Sequence, residues 1–235
     1  KTFILDDRLL ARGVNEYNYA QGYRLLFLSK LVRHERDAKA RRALVRKMDD
    51  IVEDLMGTQG PSGAWRHEYP NPFTTAAIVQ CLDAARKSGA RVTDEMMRRA
   101  AASLESSRSK KQGTFSYATN DKAPPKEGEP APKSESSGAS KTDAEPAGSS
   151  PKDAMARMPV CESALIVAGG GSQKRLESAF DNWWQHLDRF DRIRKCDFHS
   201  DGELGGFFFW HAFYHATEGN KLLPSNLRQA NQGRF

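Results

Sequence analysis

The sequence predicts an all-α fold in which buried and amphipathic helices alternate in two layers. Segments that are apolar nearly all round alternate with segments that carry a single apolar stripe at helical spacing. A glycine–aromatic turn also recurs between helical segments, at residues 59–65, at residues 112–117 and, more loosely, at residues 205–210. Such a recurring turn indicates a repeat architecture.

Length and composition narrow the functions that the chain can have. Its 235 residues suffice for one large or two small domains with a substantial core. The net charge is +6, but the basic residues alternate with apolar positions, a pattern typical of solvated helix faces. Because the basic segments mostly lack interleaved aromatic residues, we predict no nucleic-acid interface. No run of about 18 apolar residues occurs, so no transmembrane segment is predicted.

The cysteines and the first residue say little about the compartment. Cys81, Cys161 and Cys196 lie far apart and lack metal-ligand spacing, so we expect free thiols. The chain begins at Lys1 rather than at Met, and we therefore expect a fragment or a processed product. Its localisation stays open.

Residues 1–120 are expected to hold the first helical repeats. A largely buried helix is predicted over 16–34. An amphipathic helix follows over 37–56, where apolar residues from Leu44 to Leu55 recur at steps of four, three and four.

The second pair of predicted helices follows the same alternation. Residues 73–87 are apolar nearly all round, and such a helix must be covered on several sides. Thr93, followed by two acidic residues, is a typical N-cap for an amphipathic helix over 94–107.

Residues 121–153 differ in kind from the rest of the chain. They are rich in Pro, Ser, Gly and charged residues and contain almost nothing apolar. Because this composition cannot offset the entropy of ordering, we predict a disordered low-complexity insertion that interrupts the repeats.

The remaining repeats are expected over 154–223. A buried helix is predicted over 158–169, an amphipathic helix over 172–190, and an apolar, aromatic helix over 206–218. The tail, 224–235, is predicted to be an unstructured end or the start of a further element that is absent from this sequence.

These seven helices fit two concentric layers, with inner helices that have neighbours on most sides and outer helices that cover them. The sequence therefore favours a partial α/α toroid, or α/α barrel, of about seven helices. A closed barrel of this kind needs about six helical hairpins, and the chain offers three and one further helix. An open solenoid with one solvated face is the alternative.

The turn Gln59-Gly60-Pro61-Ser62-Gly63-Ala64-Trp65 resembles the QW motif of squalene–hopene and oxidosqualene cyclases. In the wider prenyltransferase and squalene-oxidase-repeat superfamily, the glycine permits the turn and the Gln and Trp side chains tie an outer helix to the next inner one. The resemblance implies these structural roles for Gln59, Gly63 and Trp65.

Further segments extend the resemblance over most of residues 13–220 outside the insertion. Gln112, Gly113 and Phe115 resemble a degenerate QW copy, with Phe in place of Trp. Segments that begin at Phe73 and at Phe207 lie where the superfamily starts its inner helices.

The catalytic signatures of these families do not occur in the chain. There is no aspartate-rich DxDD motif, and the segment Val160-Cys161-Glu162-Ser163-Ala164 lacks the Asp of the oxidosqualene-cyclase motif. The thioester motif Gly-Cys-Gly-Glu-Gln is absent, and the zinc ligands of protein prenyltransferases lack counterparts at the family spacing. Fold alone does not assign a reaction, and we predict neither a cofactor nor a catalytic role for the chain as it stands.

Several residues are nevertheless candidates for a site. Glu162 lies in an otherwise apolar helix, where a buried carboxyl could donate a proton; a partner arginine or solvent contact at the helix start is the alternative. By resemblance, residues near the inner-helix starts are candidates for lining a ligand cavity, with core packing as the alternative. This set consists of Tyr17, Tyr69, Phe73, Cys161, Glu162, Phe207, Trp210, His211 and Tyr214.

Metal binding has three weak candidates, His211, His215 and Asp201. The two histidines lie four residues apart on one face of a predicted helix, a spacing that can chelate a metal ion. Polar residues packed among aromatic ones explain the same pattern, and we predict no metal.

The sequence thus leads to three hypotheses about function. We expect a non-catalytic repeat domain that binds an apolar, isoprenoid-like ligand or a protein partner at its concave centre. The first alternative is a fragment of an active isoprenoid cyclase or prenyltransferase whose catalytic motifs lie outside this chain. The second is a helical scaffold protein that uses the insertion to recruit partners.

Overall fold

The computed structural model describes residues 15–116, 118–119, 150–193 and 206–235, and over these ranges the protein is all-α, as predicted. The helices of the described residues are α1 (Tyr17–His34), α2 (Ala38–Thr58), α3 (Pro72–Lys87), α4 (Asp94–Ser106), α5 (Pro151–Ala154), α6 (Arg157–Val167), α7 (Gln173–Gln185), α8 (Leu187–Ile193), α9 (Gly206–Asn220) and α10 (Ser225–Gln232). A two-residue antiparallel hairpin, β1 (Arg66–His67) and β2 (Tyr69–Pro70), separates α2 from α3.

Local sequence signals explain the starts of four helices. Asp37, Asn71, Thr93 and Ser172 precede α2, α3, α4 and α7, and each side chain accepts a hydrogen bond from a backbone N–H of the first turn. These bonds satisfy donors that have no partner inside the helix.

The apolar helices form the centre of the described structure. Helix α3 packs between α1 and α6, and α9 packs on α6. Helices α2, α4 and α7 cover α1, α3 and α6. The C-terminal halves of α1, α3, α6 and α9 line one shared cavity.

The turn after α2 is held by backbone and side-chain contacts. Gly63 has φ +85°, and a Cβ added there would lie 2.2 Å from the carbonyl oxygen of Arg99, so only glycine fits. Gln59 Nε2 donates to the carbonyl oxygens of Gly63 (2.9 Å) and Met96 (3.0 Å). Trp65 is fully buried, and its indole N–H donates to the carbonyl oxygen of Leu55 at 2.8 Å. The turn thereby joins α2 to the start of α4.

The second, degenerate turn is built differently. Gly113 again has a positive φ, +71°, and Phe115 is fully buried. Backbone pairing of Phe115 with Arg108 holds this turn. Gln112 donates no side-chain bond to a neighbouring helix in the described residues, and its buried Oε1 finds no partner there.

Three parts of the described chain depart from the predicted elements. The helix predicted over 172–190 is interrupted at His186, so that α7 and α8 are separate. Helix α5 lies at the end of the predicted insertion, because Ser150 caps it and Pro151 takes its first position. The rest of the insertion that was predicted as disordered, 121–149, lies outside the described residues. The loose third turn, predicted over 205–210, is wrong where it is described, because residues 206–210 begin helix α9.

The predicted tail contains a further helix, α10. Asn231, on α10, accepts a hydrogen bond from the indole N–H of Trp184 at 2.8 Å and donates to Asn220 Oδ1 at 3.0 Å. The ring of Phe235 packs edge-on against those of Trp184 and Phe213. This segment therefore packs against α7 and α9 instead of being an unstructured end.

Candidate functional site

A polar cluster lies where α1, α3, α6 and α9 meet, and we call Tyr23, Gln80, Ser163, His211 and His215 the His–Tyr cluster. The Tyr23 hydroxyl lies 2.7 Å from His211 Nδ1 and 3.3 Å from His215 Nε2. His215 Nδ1 lies 2.8 Å from Gln80 Oε1, and Gln80 Nε2 donates to Ser163 Oγ at 2.7 Å. Side chains of α1 and α3 thus contact the histidines of α9, and a side chain of α6 contacts Gln80.

The amide of Gln80 fixes the tautomer of His215. Its Nε2 donates to Ser163 Oγ and, at 3.3 Å, to the carbonyl oxygen of Val160, so Oε1 is left as an acceptor. His215 Nδ1 must then carry a proton in order to donate to it. The Nε2 of a neutral His215 is consequently a bare lone pair that faces Tyr23.

Burial keeps both histidines neutral. It lowers the pKa of His215 to about 3. It also lowers the pKa of His211 well below the usual value, with smaller contributions from His215 and His67. Burial raises the pKa of Tyr23. All three groups are therefore uncharged near neutral pH.

A cavity of about 190 Å³ adjoins the His–Tyr cluster. Its apolar wall includes Leu26, Ala84, Val167 and Leu222, and Gln80, Ser163 and His215 of the cluster contribute polar atoms. Burial, together with Glu218 and Cys81, raises the pKa of Tyr214 in this wall to about 12. The buried Tyr214 hydroxyl has no hydrogen-bond partner in the described part of the chain.

Charged side chains at the cavity are largely paired with one another. Lys87 Nζ lies 2.6 Å from Asp83 Oδ2, and Lys221 Nζ lies 2.7 Å from Glu218 Oε1. Arg33 also lines the cavity. The cavity therefore presents an apolar wall and neutral polar groups with little unbalanced charge.

Beside the cavity, α1 and α9 expose large apolar side chains. Tyr23, Phe27 and Leu31 recur every four residues on α1, and their exposed fractions are 40%, 49% and 38%. On the neighbouring α9, Trp210 is 65% exposed and Tyr214 is half-buried under Lys30, whose Nζ lies 5.4 Å from the ring centre. We call Tyr23, Phe27, Leu31, Trp210 and Tyr214 the aromatic patch.

The predicted proton donor, Glu162, lies in a second buried cluster. Its side chain is 1% exposed; Oε1 accepts from Arg108 Nε at 2.5 Å and Oε2 from Arg175 Nε at 2.9 Å. Arg175 also donates to Glu105 Oε2 at 2.7 Å. A guanidinium on each carboxylate oxygen is the geometry of a buried ion pair, which corresponds to the alternative of a partner arginine. We call Glu105, Arg108, Glu162 and Arg175 the Glu–Arg cluster.

Of the other predicted cavity residues, two belong to packing away from the cavity. Tyr17 is buried and its hydroxyl donates to Asp54 of α2 at 3.2 Å. Cys161 is fully buried, and its Sγ lies 3.7 Å from the carbonyl oxygen of Pro72. Burial also raises the pKa of Cys161 well above its usual value, so this thiol is not an activated nucleophile.

The remaining predicted residues have three different outcomes. Phe73 packs its ring 4.6 Å from His211, and Tyr214 lines the cavity, so the structure brings both to the site. Tyr69 is half-buried in β2. Asp201 and the side chain of Phe207 lie outside what the structure describes. Among the residues it describes, no group of three or more His, Cys, Asp or Glu is arranged to hold a metal ion.

Sequence reasoning missed Tyr23, Gln80 and Ser163 as site residues. Gln80 carried a signal, since it is a polar side chain in a helix that is otherwise apolar nearly all round. Tyr23 carried none, because only the packing of α9 against α1 brings it to the histidines.

No family model and no curated protein matches this chain. No helix that the structure describes is long and apolar enough to cross a membrane. The geometry of the two clusters, the cavity and the aromatic patch is therefore the basis for any functional assignment.

Proposed function

We propose that this chain is a non-catalytic repeat domain of the squalene-cyclase and prenyltransferase type that binds an apolar, isoprenoid-like ligand at the concave side of a partial α/α toroid. Two observations support such an arc: the C-terminal halves of four apolar helices line one cavity, and α2, α4 and α7 cover α1, α3 and α6. Helix α10 packs against α9 through Asn220 and Asn231 and so covers this fourth apolar helix.

The observation that carries the proposal is the position of the aromatic patch beside the cavity. Helix α1 is covered by α2 and α3, yet it exposes Tyr23, Phe27 and Leu31 on its remaining face. Contiguous exposed apolar side chains mark binding surfaces in proteins. The patch and the cavity share Tyr214, so a ligand could lie along the patch and insert one end between the helices.

The charges around the cavity favour an apolar ligand over an ionic one. Each carboxylate of the wall, Asp83 and Glu218, is paired with a lysine. The histidines are neutral, for the reason given above. Ligand pockets are commonly apolar with a few fixed polar groups, and this cavity has that composition.

Ligand binding can be followed directly through Trp210. Trp65, Trp183 and Trp184 are buried, whereas Trp210 is 65% exposed and belongs to the patch. We expect squalene or a prenyl alcohol, added below its aggregation limit, to change the tryptophan fluorescence. Native mass spectrometry should give a one-to-one adduct, and Trp210→Phe should remove the fluorescence change while keeping the adduct.

A matched pair of variants tests the location. Phe27→Ser removes an apolar side chain from the patch, and Met56→Ser removes one of similar exposure, 47%, from α2. We expect Phe27→Ser to weaken binding about 10-fold, the equivalent of about 1.4 kcal/mol of buried apolar surface. Met56→Ser should bind like the parent. Equal weakening in both variants, or no adduct with folded parent protein, contradicts the proposal.

A protein partner at the same surface is the second candidate. The cavity of about 190 Å³ is smaller than the 300–1,000 Å³ or so of common ligand sites, and Trp and Tyr side chains are typical anchors of protein interfaces. An apolar helix of a partner would cover the patch without filling the cavity. Absence of any lipid adduct, with Phe27→Ser more soluble than the parent, would favour this candidate.

A further inference from the structure

The His–Tyr cluster lacks one proton donor, whichever tautomer His211 adopts. Two neutral imidazoles carry two N–H groups and two lone pairs. The bare Nε2 of His215 faces Tyr23, which has a single hydroxyl proton to give. If His211 carries its proton on Nδ1, its buried Nε2 lone pair has no donor among the described residues. If it carries the proton on Nε2, two lone pairs share one hydroxyl proton.

In the second tautomer, the lone pairs of both histidines converge on one point. His211 Nδ1 and His215 Nε2 lie 2.7 Å and 3.3 Å from the same oxygen of Tyr23. Ligand atoms of a tetrahedral zinc ion are about 3.3 Å apart, with Zn–N bonds of about 2.0–2.1 Å. A small outward movement of Tyr23 would therefore admit a metal ion among the three atoms.

We propose that His211 Nδ1, His215 Nε2 and the Tyr23 oxygen form a binding site for a transition-metal ion such as Zn²⁺ or Cu²⁺. Imidazole suits these ions, whereas Mg²⁺ and Ca²⁺ prefer oxygen ligands. Coordination of Tyr23 as a phenolate releases its hydroxyl proton to solvent, and solvent completes the coordination shell on the exposed side of Tyr23.

Three features support the site. Gln80 Oε1 accepts from His215 Nδ1 at 2.8 Å and so holds Nε2 toward the metal position; metal-bound histidines commonly have such an acceptor behind them. Tyr23 is 40% exposed, which leaves an entry path for the ion. The i, i+4 spacing of the histidines on α9 places both on one face of a single helix.

The test is isothermal titration calorimetry of the full chain with Zn²⁺ and Cu²⁺, after treatment with a chelator. We expect one ion per chain and no heat from Mg²⁺. His211→Ala and His215→Ala should each weaken binding at least about 10-fold. The control His34→Ala removes an exposed histidine at the end of α1 and should bind like the parent.

A second variant keeps the test decisive if the histidine variants do not fold. Tyr23→Phe preserves the ring at a part-exposed position, and we expect it to fold, to bind Zn²⁺ more weakly and to release one proton fewer per ion. The parent, but not Tyr23→Phe, should show a tyrosinate difference band on binding. No one-to-one binding at micromolar Zn²⁺, or equal affinity in parent and Tyr23→Phe with no difference band, overturns the proposal. These readouts use no lipid, so they are independent of the proposed ligand function.

Discussion

The Glu–Arg cluster and the His–Tyr cluster are two polar clusters that meet the same helix, α6, through the neighbouring residues Glu162 and Ser163, yet they are satisfied to different degrees. In the Glu–Arg cluster both oxygens of Glu162 meet a guanidinium, and Arg175 also reaches Glu105. In the His–Tyr cluster the groups are neutral, and a ring nitrogen of His211 remains without a partner in the described chain. The first cluster is complete by itself, whereas the second keeps a ring nitrogen without a partner among the described residues.

This difference separates a structural role from a binding role. Buried charges that are fully paired hold helices in register, and the loss of one partner leaves the others uncompensated. In a neutral cluster that already lacks a proton donor, removing one hydrogen bond costs little stability. Such a cluster becomes more stable when a ligand or metal ion binds the unpaired atom. The sequence had singled out Glu162 for chemistry, but its contacts are those of the first kind.

The largest expected effect comes from breaking the Glu–Arg cluster. Glu162→Ala leaves Arg108 and Arg175 facing each other in a cavity that the carboxylate had filled. Their side chains are 16% and 24% exposed, so water relieves part of the repulsion. We expect a loss of about 3 kcal/mol in the free energy of unfolding, measured by urea denaturation.

Glu105→Ala is the matched control for this variant. It removes the other carboxylate partner of Arg175, but the side chain of Glu105 is 47% exposed. Exposed ion pairs contribute little, and we expect a loss below about 1 kcal/mol. Equal losses in the two variants would mean that burial of Glu162 does not determine its importance.

The comparison also shows what the sequence could predict. Each of the seven predicted helices overlaps a helix of the structure, because apolar periodicity and N-cap residues such as Thr93 are local signals. The sequence signal that predicts the turn at residues 59–65 is equally local. By contrast, the meeting of Tyr23 with His211 joins positions far apart in the chain and depends on how α9 packs. The partners of Glu162 could not be chosen from sequence either, since many arginines were available.

The next effect is the pH dependence of stability that the histidines of the His–Tyr cluster cause. In metal-free protein the folded-state pKa of His215 lies at about 3, below that of an unfolded histidine, about 6.5. The unfolded state therefore binds more protons between these values, and stability is lost as the pH falls below about 6.5. As the pH falls from about 6 to about 4, we expect His215 to lower the free energy of unfolding by about 1 kcal/mol per pH unit. His211 acts in the same direction.

Urea denaturation at a series of pH values, with chelator present, measures this slope. His215→Gln removes a titrating group and should make the slope shallower, whereas His34→Ala removes an exposed histidine and should leave it unchanged. A slope that is the same in His215→Gln and in the parent would assign the acid sensitivity to other groups.

The smallest expected effect compares two tyrosines on α1. Tyr17 is 4% exposed, and its hydroxyl joins Asp54 and Gln21. Tyr17→Phe leaves both partners short of a bond, and we expect it to cost about 1 kcal/mol in unfolding free energy. Tyr23 is 40% exposed and belongs to a cluster that already lacks a donor, so Tyr23→Phe should cost about 0.5 kcal/mol or less in metal-free protein. If Tyr23→Phe instead costs as much as Tyr17→Phe, the His–Tyr cluster stabilises the fold in the way the Glu–Arg cluster does, and the separation of the two clusters into a structural and a binding role fails.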